Sequence, residues 1–182
     1  MSTSDEKLPE SVLNLLNSSR FIHLATCLDN KPHVSLMNYT FFHKGNKDVI
    51  IISTPKTTKK YSNMVSNPNV SILIHDWISV KGSDKSTSSD SSTQPRRNSL
   101  YELLANFNRN ELSRVSVMLD GNARILAQDD PEYNFYKSLH LNNSKIEDNQ
   151  VKNYIEKDDN ALVLIDINCC KVTDTDNNVE EY

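Results

Sequence analysis

Three β-type segments follow one another at hairpin spacing in the first third of the chain, and all are rich in β-branched and aromatic residues. Short polar turns separate these segments, which cover residues 21–28, 32–42 and 48–53. A helical segment at 59–66 follows them, and a fourth alternating segment returns at 70–80. Hairpins join antiparallel strands, whereas parallel strands need long crossover connections. The order of segments therefore predicts an antiparallel barrel rather than a parallel sheet.

The rest of the chain predicts flanking helices and two longer strands. The helices are expected at 8–18, 100–107 and 129–140, and the strands at 114–127 and 161–172. Gly121 interrupts the first of these strands, which is typical of a barrel corner. Residues 173–182 are acidic, and we expect them to be frayed. The predicted fold class is mainly β with flanking helices.

A change of composition in the middle of the chain marks an insertion. Residues 83–92 contain six serines and no apolar side chain. Such a segment cannot bury enough surface to offset the entropy of ordering it. We therefore predict a single domain over residues 1–182 with a disordered insertion at 82–98. Ser99 follows two arginines, and two interpretations stay open for it: a kinase target and an ordinary loop end.

The charge and the cysteines narrow the class of protein. Lys and Arg number 20 and Asp and Glu number 24, so the net charge is -4 and sequence-blind nucleic-acid binding is not expected. The polar start and the short apolar runs predict no secretory signal and no membrane span. Three cysteines indicate a reducing compartment, which we expect to be the cytoplasm, with the nucleus left open. The five histidines lack metal-ligand spacing, so we expect no metal.

A stretch of hydroxyl and basic residues stands between a β-type segment and a helix. It runs from residue 53 to residue 60 and reads STPKTTKK. A helix N-terminus offers unpaired N–H groups and a partial positive charge, and lysines beside it add to the attraction for a phosphate. A hydroxyl-capped helix with solvated lysines is the alternative on these residues alone. The candidate binding residues here are Ser53, Thr54, Thr58, Lys59 and Lys60.

The spacing from Thr54 to Pro68 resembles the phosphate-binding segment of the pyridoxamine 5′-phosphate oxidase-like family of flavin mononucleotide (FMN)-binding split barrels. Residues 21–34 resemble the first hairpin of that family, and residues 117–123 resemble the strand that closes its barrel. The resemblance covers nearly the whole chain apart from the serine-rich insertion. It implies a split β-barrel that binds FMN as cofactor and forms a homodimer with the flavin at the interface.

The resemblance also implies roles for particular residues. Thr54, Thr58, Lys59 and Lys60 take the positions of the phosphate contacts. The strand after Pro32 takes the place of the one beneath the isoalloxazine ring, which puts Leu36, Met37 and Asn38 against the flavin. Ser116 takes the position from which a polar residue reaches the flavin across the dimer interface.

Two departures from the family pattern separate this chain from true pyridoxamine 5′-phosphate oxidases. Ser35 stands where those enzymes have an arginine that also serves the cofactor site, and nothing after Cys170 matches their C-terminal substrate segment. We therefore expect a short homologue with doubtful pyridoxamine 5′-phosphate oxidase activity. Three functions stay open: a flavin-dependent oxidoreductase, a non-catalytic flavin-binding or sensing module, and an interaction protein that uses the barrel as a scaffold.

Overall fold

The computed structural model describes residues 8–45, 47–76, 115–143 and 159–182. The predicted insertion at 82–98 and the predicted helix at 100–107 lie outside the described residues. The helices are α1 (Glu10–Ser18), α2 (Lys59–Ser66) and α3 (Tyr133–Asn143). The strands are β1 (Phe21–Leu28), β2 (Lys31–Asn38), β3 (Thr40–Lys44), β4 (Lys47–Pro55), β5 (Asn69–His75), β6 (Ser116–Leu126), β7 (Asn160–Thr173) and β8 (Val179–Glu181).

The described strands form one sheet in which every pairing is antiparallel. Seven of them lie in the order β2-β1-β5-β6-β7-β4-β3, and β8 pairs with β7. The strands β2 and β3 stand at the two ends of this order although they follow each other in the chain. The predicted antiparallel, mainly β fold with flanking helices is confirmed.

The predicted second strand, residues 32–42, is two strands in the structure. Its first part, β2, pairs with β1, and its second part, β3, pairs with β4. The change of partner occurs at Tyr39, whose buried side chain donates a hydrogen bond from its hydroxyl to the Leu16 carbonyl at 2.8 Å. The alternation of residues is the same on both sides of Tyr39, so the sequence pattern did not reveal the break.

Two apolar clusters lie on opposite sides of β4 and β7. The larger one fills the barrel and includes Ile50 and Ile52 of β4. The smaller one includes Val49 and Ile51, together with Tyr133 and Tyr136 of α3. Both faces of β4 are therefore buried, which explains why its sequence is a continuous β-branched run rather than an alternating one.

The C-terminal residues are ordered, and the expectation of a frayed tail is wrong. Asp174 accepts hydrogen bonds from the backbone N–H groups of Asp176 (2.8 Å) and Asn178 (2.9 Å), which forms a turn. The strand β8 then pairs with β7, and Lys171 forms an ion pair with Glu181 at 2.6 Å. On this edge β7 pairs with β4 only from Asn160 to Asp166. The later residues of the same edge are therefore available to pair with β8.

Candidate functional site

The chain turns sharply between the end of β4 and the start of α2. Thr54 is fully buried at the end of β4, and Thr58 is the N-cap of α2. The Thr58 Oγ1 accepts a hydrogen bond from the Tyr61 N–H at 3.4 Å and donates one to the Pro55 carbonyl at 2.9 Å. An N-cap hydroxyl of this kind stabilises the first turn of a helix, so the local sequence determines where α2 begins.

The hydroxyl groups of Thr54 and Thr58 contact each other at an Oγ1–Oγ1 distance of 3.0 Å. The single proton of the Thr58 hydroxyl points to the Pro55 carbonyl, so the Thr54 hydroxyl is the donor of this contact. Both hydroxyl protons are therefore used to hold the turn. Helix geometry leaves the N–H groups of Lys59 and Lys60 without intrahelical acceptors, and these are donors for an anion.

Two lysines add positive charge at the same place. The side chain of Lys59 is exposed, whereas Lys60 is partly buried. Burial lowers the pKa of the Lys60 ammonium below its ordinary value. An anion bound beside Lys60 would compensate for the lost solvation of its charge. The structure thus brings together Thr54, Thr58, Lys59 and Lys60 at one helix terminus, and Ser53 is the buried residue before them.

The predicted ring contacts on β2 divide between the two faces of the strand. Met37 is 7% exposed and packs in the barrel core, whereas Leu36 is 60% exposed on the other face. Asn38 shares the face of Leu36, because side chains alternate along a strand. Among the described strands β2 ends the order of the sheet, so one of its edges has no strand beside it.

Ser116 lies on the same open face of the sheet as Leu36 and Asn38. One row of cross-strand partners runs over β2, β1, β5 and β6 on this face, and its members are Leu36, His23, Leu73 and Met118 in that order. Ser116 opposes His75 in the next row, and the rings of His23 and His75 stack with centroids 5.9 Å apart. The exposed apolar side chains of this open face are Phe21, Val34, Leu36, Leu73 and Met118.

The inner face of β2 carries two buried polar groups, one on His33, which the sequence analysis did not select, and one on Ser35, which it named only as a departure from the family pattern. The His33 Nδ1 and the Ser35 Oγ are both inaccessible to solvent, and neither has a hydrogen-bond partner among the described residues. They stand two positions apart and oppose Thr26 and Leu24 of β1, whose side chains are buried. In the sequence, these two groups could have been found from the presence of polar residues at two successive inward-facing positions of one strand.

The described part of the chain holds no group of three or more His, Cys, Asp or Glu side chains that could bind a metal ion. None of its helices is long and apolar enough to cross a membrane.

The fold defines the protein as an antiparallel split barrel. Its candidate site is the N-terminus of α2, where a threonine hydroxyl caps the helix and two lysines stand in the first turn, an arrangement that favours anions. The family model described as pyridoxamine 5′-phosphate oxidase matches residues 8–172. A pyridoxamine 5′-phosphate oxidase homolog of Schizosaccharomyces pombe is 35% identical over 98% of this chain and 92% of its own length. A second homolog, from Saccharomyces cerevisiae, is 32% identical over 98% of this chain and 95% of its own length. The chain therefore belongs to the pyridoxamine 5′-phosphate oxidase family, and the resemblance seen in the sequence is confirmed.

A solved structure extends the comparison to more distant proteins. The heme binding protein from Mycobacterium smegmatis superimposes with a TM-score of 0.61 at 17% sequence identity. The match covers 97% of this chain and 59% of that protein. Identity at this level shows a common fold alone.

Proposed function

We propose that this protein binds FMN through its phosphate and serves as a flavin-dependent oxidoreductase. The observation that carries the proposal is the N-terminal turn of α2, where Thr58 caps the helix and Lys59 and Lys60 stand in the first turn. Family membership supports the same assignment, since the segment lies within the residues that match. Backbone N–H groups, a helix dipole and two ammonium groups favour a dianion at this place.

The position of β2 supports a flavin that uses residues on both faces of this strand. Among the described strands one edge of β2 is unpaired, so a ligand could pass around that edge. We propose that the phosphate lies on the α2 side, while the ring lies near Leu36 and Asn38 on the open face. Met37 then supports the strand from the core and makes no ring contact through its side chain.

We further propose a homodimer in which the open face of each protomer covers that of the other. Five large apolar side chains are exposed on this face, and it carries Ser116 as well as Leu36 and Asn38. A contiguous exposed apolar surface of this kind marks an interaction site. Ser116 of one protomer would then approach the flavin held by the other.

A bound flavin supplies hydride and electron transfer by itself, so the protein's part is to hold, orient and shield it. Lys59 and Lys60 hold the phosphate, and the apolar open face excludes water from the ring. A flavin that no amine or nicotinamide donor reduces would instead indicate a binding or sensing module, and this outcome would contradict the oxidoreductase half of the proposal.

The test of cofactor binding is a fluorescence-quenching titration of the purified protein with FMN and with riboflavin. Charge-assisted contacts are stronger than neutral ones, so FMN should bind roughly ten-fold or more tightly than riboflavin. Raising the salt concentration should reduce this preference, because part of the attraction is screened. Hemin is titrated in parallel because a structural relative is a heme binding protein. Equal affinities for FMN and riboflavin, or binding of hemin alone, would overturn the proposal.

The phosphate site is tested with the double variant Lys59→Ala and Lys60→Ala. It should bind FMN at least about ten-fold more weakly and should lose most of the preference over riboflavin. The matched control is Lys47→Ala with Lys137→Ala, which removes the same charge from β4 and α3. Unchanged FMN affinity in the first variant, or an equal loss in the control, would show that the phosphate binds elsewhere.

A further inference from the structure

The open face carries two histidines whose rings are stacked. The rings of His23 on β1 and His75 on β5 lie with their centroids 5.9 Å apart and their planes inclined by 11°. Histidine is the side chain whose charge changes between about pH 5 and about pH 8, so acid would place two like charges side by side here. Near-parallel rings cannot direct their nitrogens at one ion, so the pair does not suit a shared metal.

The direct neighbours of the histidine pair on the open face are uncharged. His23 opposes Leu36 of β2 and Leu73 of β5. His75 opposes Ser116 of β6. Among the described residues no carboxylate opposes either ring, so a positive charge on the pair would have no direct counter-ion.

The other titratable groups of the open face stand further away. They lie on β1, β6, β7 and β8, and they are Cys27, Asp120, Cys169, Lys171 and Glu181. The Asp120 carboxylate accepts a hydrogen bond from the Ser71 hydroxyl at 2.5 Å, and Lys171 is paired with Glu181 at 2.6 Å. Lys171 is three strands from His23, about 14 Å at the usual strand spacing.

The remaining charged and titratable groups of the neighbouring elements do not share this part of the face. Asp76 follows His75, but side chains alternate along a strand, and its carboxylate accepts a hydrogen bond from the Val115 N–H at 2.9 Å. Arg124 lies beyond the register shift of β6. The helices α1 and α2 pack on the barrel core. Their groups and the inward ones of β2 are Glu10, Lys59, Lys60, Tyr61, Lys31 and His33.

The proposed homodimer fixes where its two-fold axis crosses the open face. In that dimer Ser116 of β6 approaches the flavin that the second protomer holds beside Asn38 of β2. The four strands of the face lie in the order β2-β1-β5-β6. A rotation that brings β6 over β2 must also bring β5 over β1, so the axis runs along the strands between β1 and β5. The histidine pair spans this same boundary.

This arrangement covers both histidines with apolar side chains of the second protomer. His75 meets Phe21 of the second protomer, and His23 meets its Leu73. These two apolar side chains are 49% and 42% exposed in the single chain. The Arg20 guanidinium carbon lies 6.0 Å from the centroid of the Phe21 ring, so it would bring a further positive charge towards His75. The contact is the same in both directions, as an isologous interface requires.

We propose that the homodimer is pH-sensitive, because His23 and His75 of both protomers meet at the two-fold axis and their protonation separates the protomers. Covering an imidazole removes the solvation of its charged form, and the stacked neighbour repels a second charge. The separated protomers therefore bind protons better than the dimer, so acid shifts the equilibrium towards monomers. This inference rests on the proposed homodimer and adds a means of regulating it.

The test is the dissociation constant of the dimer, measured by sedimentation at about pH 7.5 and about pH 5.5, on either side of the ordinary histidine range. For the wild type it should rise roughly ten-fold or more on acidification. The exchange of fluorescently labelled subunits, followed by energy transfer, should become faster to a similar degree, and it reports on a dimer too tight for sedimentation. Circular dichroism at both pH values verifies that the protein remains folded.

The decisive variant is His23→Phe with His75→Phe, which keeps two stacked rings and removes their charge. Its dimer should respond to acid several-fold less than the wild type. The double variant His23→Gln with His75→Gln repeats the test with polar, uncharged side chains. The matched control is His43→Phe, at an exposed histidine of β3, which should keep the full response of the wild type.

The outcomes separate this inference from the proposed function. A wild-type dimer equally tight at both pH values would overturn the inference and leave the homodimer and flavin binding intact. Double variants that weaken in acid as much as the wild type would overturn it as well. Double variants that are monomeric at both pH values would do the same, because the rings would then be needed whatever their charge. A wild type that is monomeric at about pH 7.5 would refute the homodimer itself.

Discussion

His140 is a buried histidine that joins α3 to the sheet. Its Nδ1 lies 2.9 Å from the Thr40 Oγ1, and the Asn143 Nδ2 donates to the same oxygen at 3.2 Å. Burial lowers the pKa of His140 from 6.5 to about 4. The folded protein therefore holds this imidazole neutral at a pH at which the unfolded chain would protonate it.

We predict that acid destabilises the protein through His140. Because the pKa of His140 is lower in the folded protein than in the unfolded chain, its contribution to the free energy of unfolding is fully present above pH 6.5. This contribution is lost as the pH falls from 6.5 towards about 4. The loss should reach about 3 kcal/mol, since one pKa unit corresponds to about 1.4 kcal/mol. Urea unfolding near pH 7 and near pH 4.5 measures it, and His140→Gln should show a clearly smaller loss.

The control for this experiment is His43→Gln, at an exposed histidine that contacts Asp48. Carboxylates contribute to the acid response of any protein, so only the difference between the variants is informative. If His140→Gln and the wild type lose the same free energy between the two pH values, the assignment to His140 is wrong.

At the scale of elements, the pairing of β6 with β7 depends on Gly121. The register shifts between Asp120 and Gly121, which bends the strand at the predicted barrel corner. A Cβ atom at this position would lie 2.5 Å from the Asp166 carbonyl oxygen and 2.9 Å from the Ile165 Cγ2. The first of these atoms belongs to the backbone of a central strand and cannot move aside without disturbing the sheet.

We predict that Gly121→Ala destabilises the protein by about 1–3 kcal/mol, the usual cost of overpacking a core. The midpoint of urea unfolding measures the change. Gly45→Asn serves as the comparison, because a Cβ at Gly45 meets nothing within 4 Å and asparagine tolerates its φ of 64°. A variant Gly121→Ala as stable as Gly45→Asn would show that the two strands can separate at no cost.

At the scale of the whole molecule, the open face has no helix over it among the described residues, whereas α3 covers the outer side of β4. Its row of apolar side chains crosses β2, β1, β5 and β6. The C-terminal strand β8 extends this surface, since Glu181 opposes Lys171 and Lys171 opposes Met118. The proposed homodimer would bury this surface.

We predict that Leu73→Asp converts the dimer to a monomer. The side chain is 42% exposed in the single chain and would be covered in the dimer, where two unpaired carboxylates would be buried. The dissociation constant should rise roughly a hundred-fold or more. Sedimentation velocity distinguishes the 20.7 kDa chain from its dimer.

Val65→Asp is the matched control, because Val65 is 57% exposed on α2 and lies away from the open face. It should leave the dimer intact. A monomeric wild-type protein would contradict the proposed homodimer, and dissociation of both variants to the same extent would place the interface elsewhere.

Local sequence determined the hairpin order, the start of α2 and the corner at Gly121, whereas α3 begins at Tyr133, four residues after its predicted start at 129. Each of these features depends on neighbouring residues: turn residues close a hairpin, a hydroxyl caps α2, and only glycine avoids the Asp166 carbonyl. The cluster at 53–60 was found for the same reason, because its hydroxyls and lysines are adjacent in the chain. Family membership also followed from the order and spacing of such local segments.

The tertiary structure decided the features that depend on partners distant in the chain. The break at Tyr39 arises because β2 and β3 pair with different strands, and β8 forms because the edge of β7 is free beyond Asp166. The burial of the Ser35 Oγ, which has no hydrogen-bond partner among the described residues, follows only from the pairing of β2 with β1. Pairing, burial and unsatisfied polar groups are properties of the packed chain, because each depends on atoms that only folding brings together.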